Sequence, residues 1–219
     1  MEILYQDSAI WVAVKPPALL SEQTADQKGF ADLLAAENGG YVGVVHRLDR
    51  GVGGIMVYAK TQEAAASLSR AIQEHRFDKE YLALVHGIPS KKEDTLRDLL
   101  FHDRRQNKTF VVTKKRAGVK EAILDYTVQK SFPHPPRGEL SLVRVKLHTG
   151  RTHQIRVQFA SRGHALLGDG KYGATGDRCQ IALYSYRLSF PHPLTKKQMM
   201  FEALPSGDAW DKFLTQKED

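Results

Sequence analysis

The sequence predicts an α+β protein built on a mixed, largely antiparallel sheet with flanking helices and loops. Three observations carry that expectation. Apolar runs of strand length outnumber helical patterns, roughly seven against three or four. The two kinds do not alternate as regular βαβ units. Residues 182–190 show a clean period of two, with Ala182, Tyr184, Tyr186, Leu188 and Phe190 on one side. No repeat or linker breaks the chain, so one domain over residues 1–219 is expected.

Residues 8–14 (SAIWVAV) form a β-type run stopped by Pro16 and Pro17. Phe30 to Glu37 reads as an amphipathic helix ending at Gly39-Gly40, where left-handed geometry is cheap. Tyr41–Val45 and Ile55–Ala59 read as buried strands around the segment HRLDRGVGG, which is too glycine-rich and charged for a strand interior. Thr61 is placed to cap a helix running to about Arg76, with Ala64, Leu68 and Ile72 on one face. A strand follows at Tyr81–His86, closed by Gly87. Ala122, Leu124, Tyr126 and Val128 alternate as a half-buried strand should, and Leu140–Leu147 is another. Thr152 is placed to cap a short helix with Ile155 and Phe159 facing in and Gly163 stopping it.

Charge is concentrated. The formal net charge is +7, and residues 91–120 hold ten Lys or Arg against four acids, a net +6. The remainder of the chain is therefore close to neutral. A local excess of this kind favours counterion release on a polyphosphate backbone. The single cysteine, Cys179, cannot close an internal disulfide, and no cysteine pair offers a zinc half-site. No apolar run approaches the ~20 residues of a membrane span, and Glu2 and Asp7 interrupt any signal pattern. These features lead to the expectation of a soluble cytoplasmic protein, without a membrane or metal.

Four strings stand out: His46-Arg47-Leu48-Asp49, Lys79-Glu80-Tyr81, Arg151-Thr152-His153-Gln154-Ile155-Arg156, and Gly168-Asp169-Gly170-Lys171-Tyr172-Gly173. Each alone has a bland explanation as a turn former, core residue or surface charge. Their order and spacing change that. HRLD with the following GGIMVYAKT, then KEYLALVHG, LHTGRTHQIRVQ and LLGDGKYG, resemble the RluA-type RNA pseudouridine synthases in the right order. VAVKPPALL (12–20) is similar to that family's opening strand and Lys-Pro turn. The resemblance spans about residues 8–205, and implies a pseudouridine-synthase catalytic domain without the additional S4 domain that many members carry.

The resemblance implies a role for each matching position. Asp49 would be the nucleophile, attacking the ribose or the uracil ring of the target uridine. Arg156 would pair with Asp49 and keep its carboxylate ionised and aimed. Tyr81 would stack on the target base and help to remove the C5 proton. Arg47 would fill the space that the extruded nucleotide leaves. The chemistry is consistent with these residue types, because an unpaired carboxylate in a closed apolar pocket takes up a proton. The target must also leave its stack, and an aromatic face offsets part of that cost. The reaction is an isomerisation without redox or phosphate transfer, so no cofactor and no metal are expected. The substrate would be a structured RNA, tRNA or large-subunit rRNA, and the protein a monomer. Arg104, Arg105, Lys114, Lys115 and Arg116 of the basic segment, with Arg151 and Lys171, are the expected RNA contacts.

The chain departs from the family pattern at two places. Val52-Gly53-Gly54 stands where Thr-Ser-Gly is usual, and Gln158 stands where a histidine is common, which bears on RNA backbone contacts. Other function classes fit less well. Val12-Ala13-Val14-Lys15 and HRLD echo protein-kinase motifs, but only about 31 residues separate Lys15 from His46, and no GxGxxG precedes the lysine. No P-loop occurs, and the nine histidines include no HExxH. A non-catalytic RNA-binding protein on the same fold is the remaining alternative; Asp49, Tyr81 and Arg156 together speak against it.

Overall fold

The computed structural model describes residues 1–135, 138–173, 175–207 and 210–214. In chain order the elements are β1 (Glu2–Gln6), β2 (Ile10–Lys15), α1 (Phe30–Asn38), β3 (Gly43–Val44), β4 (Gly53–Ala59), α2 (Gln62–Gln73), β5 (Asp78–His86), β6 (Glu93–Asp103), β7 (Lys108–Val112), β8 (Val119–Pro133), β9 (Glu139–Leu147), α3 (Gln154–Ala160), β10 (Leu183–Pro191), β11 (Gln198–Glu202) and α4 (Asp211–Leu214). The mixed, mainly antiparallel α+β class is as expected. The chain divides into two compact units, Met1–Lys79 with Tyr184–Pro205, and Glu80–Leu183 with Ser206–Asp219.

In the first unit the strand order is β1-β2-β4-β10, with β3 added to β4 and β11 to β10. All these pairs are antiparallel except β4 with β10, whose register sets Tyr184 opposite Gly53 and Ser185 opposite Gly54. The core gathers Ile10, Val12, Ile55, Val57, Leu68, Phe77, Leu188 and Phe190. Helix α2 covers it through Ala64, Leu68 and Ala71, and the hydroxyl of Thr61 accepts from the Ala64 amide at 3.1 Å. That N-cap is the expected one. Helix α1 ends where Gly39 and Gly40 adopt φ of +67° and +86°, as the glycine pair predicts. The expected strand at 41–45 shrinks to Gly43–Val44.

In the second unit the order is β5-β9-β8-β6-β7, every pair antiparallel. Ala122, Leu124 and Tyr126 turn inward as their alternation predicts, and a bulge between Val128 and Lys130 ends that pattern. Helix α3 lies across this sheet, with Phe159 edge-on to Tyr126 at 5.4 Å and Val157 packed with Leu100 and Ala122.

Thr152 does not cap α3. The N-cap is His153, in left-handed conformation with no side-chain cap bond. The preceding turn is organised by buried Gln154 instead, whose Oε1 accepts from the Thr149 hydroxyl at 2.8 Å and the Arg151 amide at 3.0 Å. Gln158 is also fully buried, donating to Asp98 at 2.7 Å, which removes it from any RNA surface. The basic segment is no loose loop: it contains β6, β7 and the start of β8. None of the described helices is long and apolar enough to cross a membrane.

Candidate active site

The first unit supplies the HRLD loop, which runs from β3 into β4 and is pinned on both sides of Asp49. On one side, the Ser21 hydroxyl donates to the Leu48 carbonyl and accepts from the Leu48 amide, each at 3.0 Å, in a buried position. On the other, the Val52 amide donates to the Asp49 carbonyl at 3.0 Å, closing a turn. His46 is buried against Phe77, and its Nε2 accepts from the Val57 amide at 3.1 Å. Burial, and secondarily the charge of Lys79, hold its pKa down at about 3, so it is a neutral strut. Arg47 is exposed and paired with Glu22 at 2.8 Å. Asp49 itself is half-buried.

The glycines of this loop explain one departure from the family pattern. A Cβ on Gly54, whose φ is +126°, would lie 2.4 Å from the Ser185 carbonyl oxygen, so only glycine fits where β4 meets β10. At Gly53 a Cβ would lie 3.2 Å from Pro17 Cδ and 3.3 Å from Tyr184 Cε2. A serine there would require Pro17 or the Tyr184 ring to give way by a few tenths of an ångström. Val52 is buried and apolar, so packing braces the loop where hydroxyls are usual.

From the sequence Lys15 is only part of a Lys-Pro turn; in the structure it belongs to this neighbourhood. It is fully buried, and its Nζ donates to the Pro16 carbonyl at 2.8 Å and the Leu19 carbonyl at 2.7 Å. Desolvation lowers its pKa to about 8, and the negative charge of Asp49 acts in the opposite sense. The one signal in the sequence is a lysine at the end of an apolar strand.

A pH dependence follows from Lys15. Its folded pKa lies below the unfolded value of 10.5, so between about 8 and 10.5 the folded state holds fewer protons. The burial cost is therefore full below pH 8 and disappears as pH rises to 10.5. Relative to Lys15→Met, the wild type should gain roughly 3 kcal/mol across that window. Urea titrations of both proteins at several pH values measure this; a constant difference would mean that Lys15 is not buried as an ammonium.

The second unit, taken by itself, contains Tyr81, Arg156 and the basic hairpin. Tyr81 is buried in β5, opposite Val145 of β9. Arg156, on α3, is held by Asp169, a residue to which the sequence assigns no role. Asp169 accepts from Arg156 Nε at 2.7 Å and from Nη2 at 2.8 Å, while itself only 2% exposed. A two-point contact of this kind fixes the plane of the guanidinium. The Tyr172 ring lies 5.1 Å from Arg156 Cζ. Backbone geometry delivers the carboxylate: Gly168 has φ +77°, and a Cβ there would lie 2.3 Å from the Gln180 carbonyl oxygen.

Arg104 and Arg105 are exposed at the β6–β7 turn; Lys114, Lys115 and Arg116 are exposed where the chain crosses from β7 to β8. Arg116 Cζ lies 4.6 Å from the Phe101 ring. Arg151 Nε donates to the Glu121 carbonyl at 2.8 Å, and Lys171 Nζ to the Asn107 carbonyl at 2.9 Å. Among the described residues no cluster of His, Cys, Asp or Glu is arranged to hold a metal ion.

Comparison with known proteins identifies the family. A family model described as RNA pseudouridylate synthase matches residues 9–161. An uncharacterized RNA pseudouridine synthase of Aquifex aeolicus (strain VF5) is 34% identical over 223 residues, covering 92% of this chain and 68% of its own. Ribosomal large subunit pseudouridine synthase D of Vibrio cholerae is 32% identical over 241 residues, covering 100% and 72%. The solved structure of human RNA Pseudouridylate Synthase Domain Containing 1 shares the fold, with TM-score 0.77 at 24% identity over 93% of this chain and 83% of that one. With its motifs in order and its match extending over most of its length, the chain belongs to the RNA pseudouridylate synthase family and is an RNA-modifying isomerase.

Proposed function

We propose that this enzyme converts one uridine of a structured RNA, large-subunit rRNA or tRNA, to pseudouridine, with Asp49 as nucleophile. The observation that carries the reading is the HRLD loop. Asp49 stands on a turn held by the Ser21 clamp and the His46 strut, and its negative charge acts on buried Lys15. A carboxylate on a pre-set backbone loses little freedom when it attacks.

In the proposed reaction Asp49 attacks the ribose or the uracil ring, the N1 glycosidic bond breaks, and the freed base turns. C5 then bonds to the ribose carbon, the bond that Asp49 formed breaks, the C5 proton leaves with help from Tyr81, and N1 takes up a proton. Arg156 serves as the cationic partner of Asp49, with its plane set by Asp169, and Arg47 fills the vacated stack. The steps need neither cofactor nor metal. The enzyme is further proposed to act as a cytoplasmic monomer. Two relatives are named for the ribosomal large subunit, which makes that RNA the first substrate to test. Transcripts of large-subunit rRNA and of tRNAs, labelled with tritium at uridine C5, should separate the two: release from one class names the substrate. Binding without release from either would favour the non-catalytic alternative.

RNA docking is assigned to the hairpin and crossover. Neutralising Arg104, Arg105, Lys114, Lys115 and Arg116 should weaken binding across many RNA sequences. For every phosphate that loses its cationic partner, the slope of log K against log salt should flatten by roughly 0.7 to 0.9. At saturating RNA the variant should still turn over. An unchanged slope would make this charge a solvated surface and move the RNA track toward Arg47, Arg151 and Lys171.

A further inference from the structure

We infer that Tyr172 is a positioning residue that ties the basic hairpin to the guanidinium of Arg156. The inference rests on the reading of Arg156 as an active-site residue. Two residues of the loop after α3 hold that side chain. Asp169 takes its Nε and Nη2, and Tyr172 lays its ring against Cζ at 5.1 Å. Tyr172 also faces the other way. Its hydroxyl oxygen accepts from the backbone amide of Thr109 at 2.7 Å, and shares a hydrogen bond with His153 Nδ1 at 2.9 Å.

Thr109 sits in β7, which pairs with β6 alone in the strand order. An outer strand presents amides that its neighbour cannot satisfy. Here the Thr109 amide is met by the Tyr172 hydroxyl. The Thr109 side chain is nearly inaccessible, and its Oγ1 donates to the Thr152 carbonyl at 2.9 Å. Lys171 adds a bond to the carbonyl of Asn107, at the hairpin turn. One edge of the hairpin thus rests on segments that bracket Arg156 in sequence, residues 152–153 before it and 171–172 after it. Arg104 and Arg105 project from the adjoining turn. RNA bound there stabilises the seated hairpin, and a seated hairpin fixes Tyr172 against Arg156.

Tyr172→Phe tests this, because it keeps the ring and removes the hydroxyl. Leaving the Thr109 amide unsatisfied should speed hydrogen exchange across residues 107–112 by about tenfold, with the β9 amides unchanged as a check on folding. The single-turnover rate at saturating RNA should fall by about tenfold, since a ring no longer anchored through its hydroxyl aims the guanidinium less well. In an Arg156→Lys background, where the planar fork is already gone, the same substitution should cost less than about twofold. That non-additivity is what a general structural role would not produce.

Unchanged exchange at 107–112 would overturn the hairpin link. Faster exchange with an unchanged rate would overturn the link to Arg156. Equal rate losses in both backgrounds would reduce Tyr172 to a packing residue. Failure of the underlying reading shows elsewhere: Arg156→Lys and Arg156→Met proteins that both keep the wild-type rate would remove Arg156 from catalysis, whatever the exchange experiment gives.

Discussion

Asp49→Asn is expected to bind RNA as the wild type does and to lose turnover by a factor on the order of 10,000 or more, the scale seen when a nucleophile is removed. The substitution keeps size and hydrogen-bonding shape while removing the negative charge. The Ser21 clamp on Leu48 and the His46 strut do not involve the Asp49 carboxylate, so the loop should stand unchanged. Tritium release from uridine-labelled RNA measures turnover, and filter binding measures affinity. Release at a rate comparable to wild type would remove Asp49 from the chemistry.

Arg156 should give the second large effect, with two separable parts. Arg156→Lys keeps the charge but not the planar fork, so a rate loss of about tenfold is expected from the weaker charge-assisted grip. Arg156→Met should lose far more activity. It also strands the Asp169 carboxylate, which is 2% exposed and bound at two points by Arg156. Breaking a buried pair by deleting one partner costs about 3 to 5 kcal/mol. The Met variant should therefore be less stable in urea, and Asp169→Asn combined with it should recover part of that loss without recovering activity. Near-wild-type activity for both Lys and Met would place Arg156 outside the site.

The parts of the fold that are legible from sequence are those where local chemistry and burial agree. Thr61 caps α2, Gly39 and Gly40 end α1 in left-handed geometry, and β8 follows its alternation, whereas β10 buries Leu183 and Ser185 in place of Tyr184 and Tyr186 before Leu188 and Phe190 turn inward. The illegible parts lie where charge hides a strand or a contact crosses a long separation. Strands β6 and β7 carry Arg97, Asp98, His102 and Lys108 among their apolar residues, so the segment reads as a solvated stretch. Its strands are instead stabilised by Leu100 and Val111 packing with Ala122 and Val157. Strands β1 and β11 are short, and their registers depend on partners the local sequence does not name.

The site divides in the same way. The motifs name the proposed catalytic residues, Asp49, Tyr81 and Arg156, directly. The residues that support them are not legible. Asp169 is given no role by the sequence, because its partner Arg156 lies 13 positions away. Thr152 has the right side chain for a cap, yet Gln154 satisfies that turn from within, leaving His153 in left-handed geometry. Gln158, expected near RNA, is buried on Asp98. Lys15 looks like a turn lysine until its burial is seen.

The central claim, that this chain is a pseudouridine synthase acting through Asp49, is tested most directly in cells. Pseudouridine should be mapped across total RNA from a strain lacking the gene, complemented either with the wild type or with Asp49→Asn expressed at the same level. The account predicts that deletion removes pseudouridine at a defined uridine, that the wild type restores it, and that the Asn variant does not. An unchanged map on deletion, or restoration by Asp49→Asn, would contradict it.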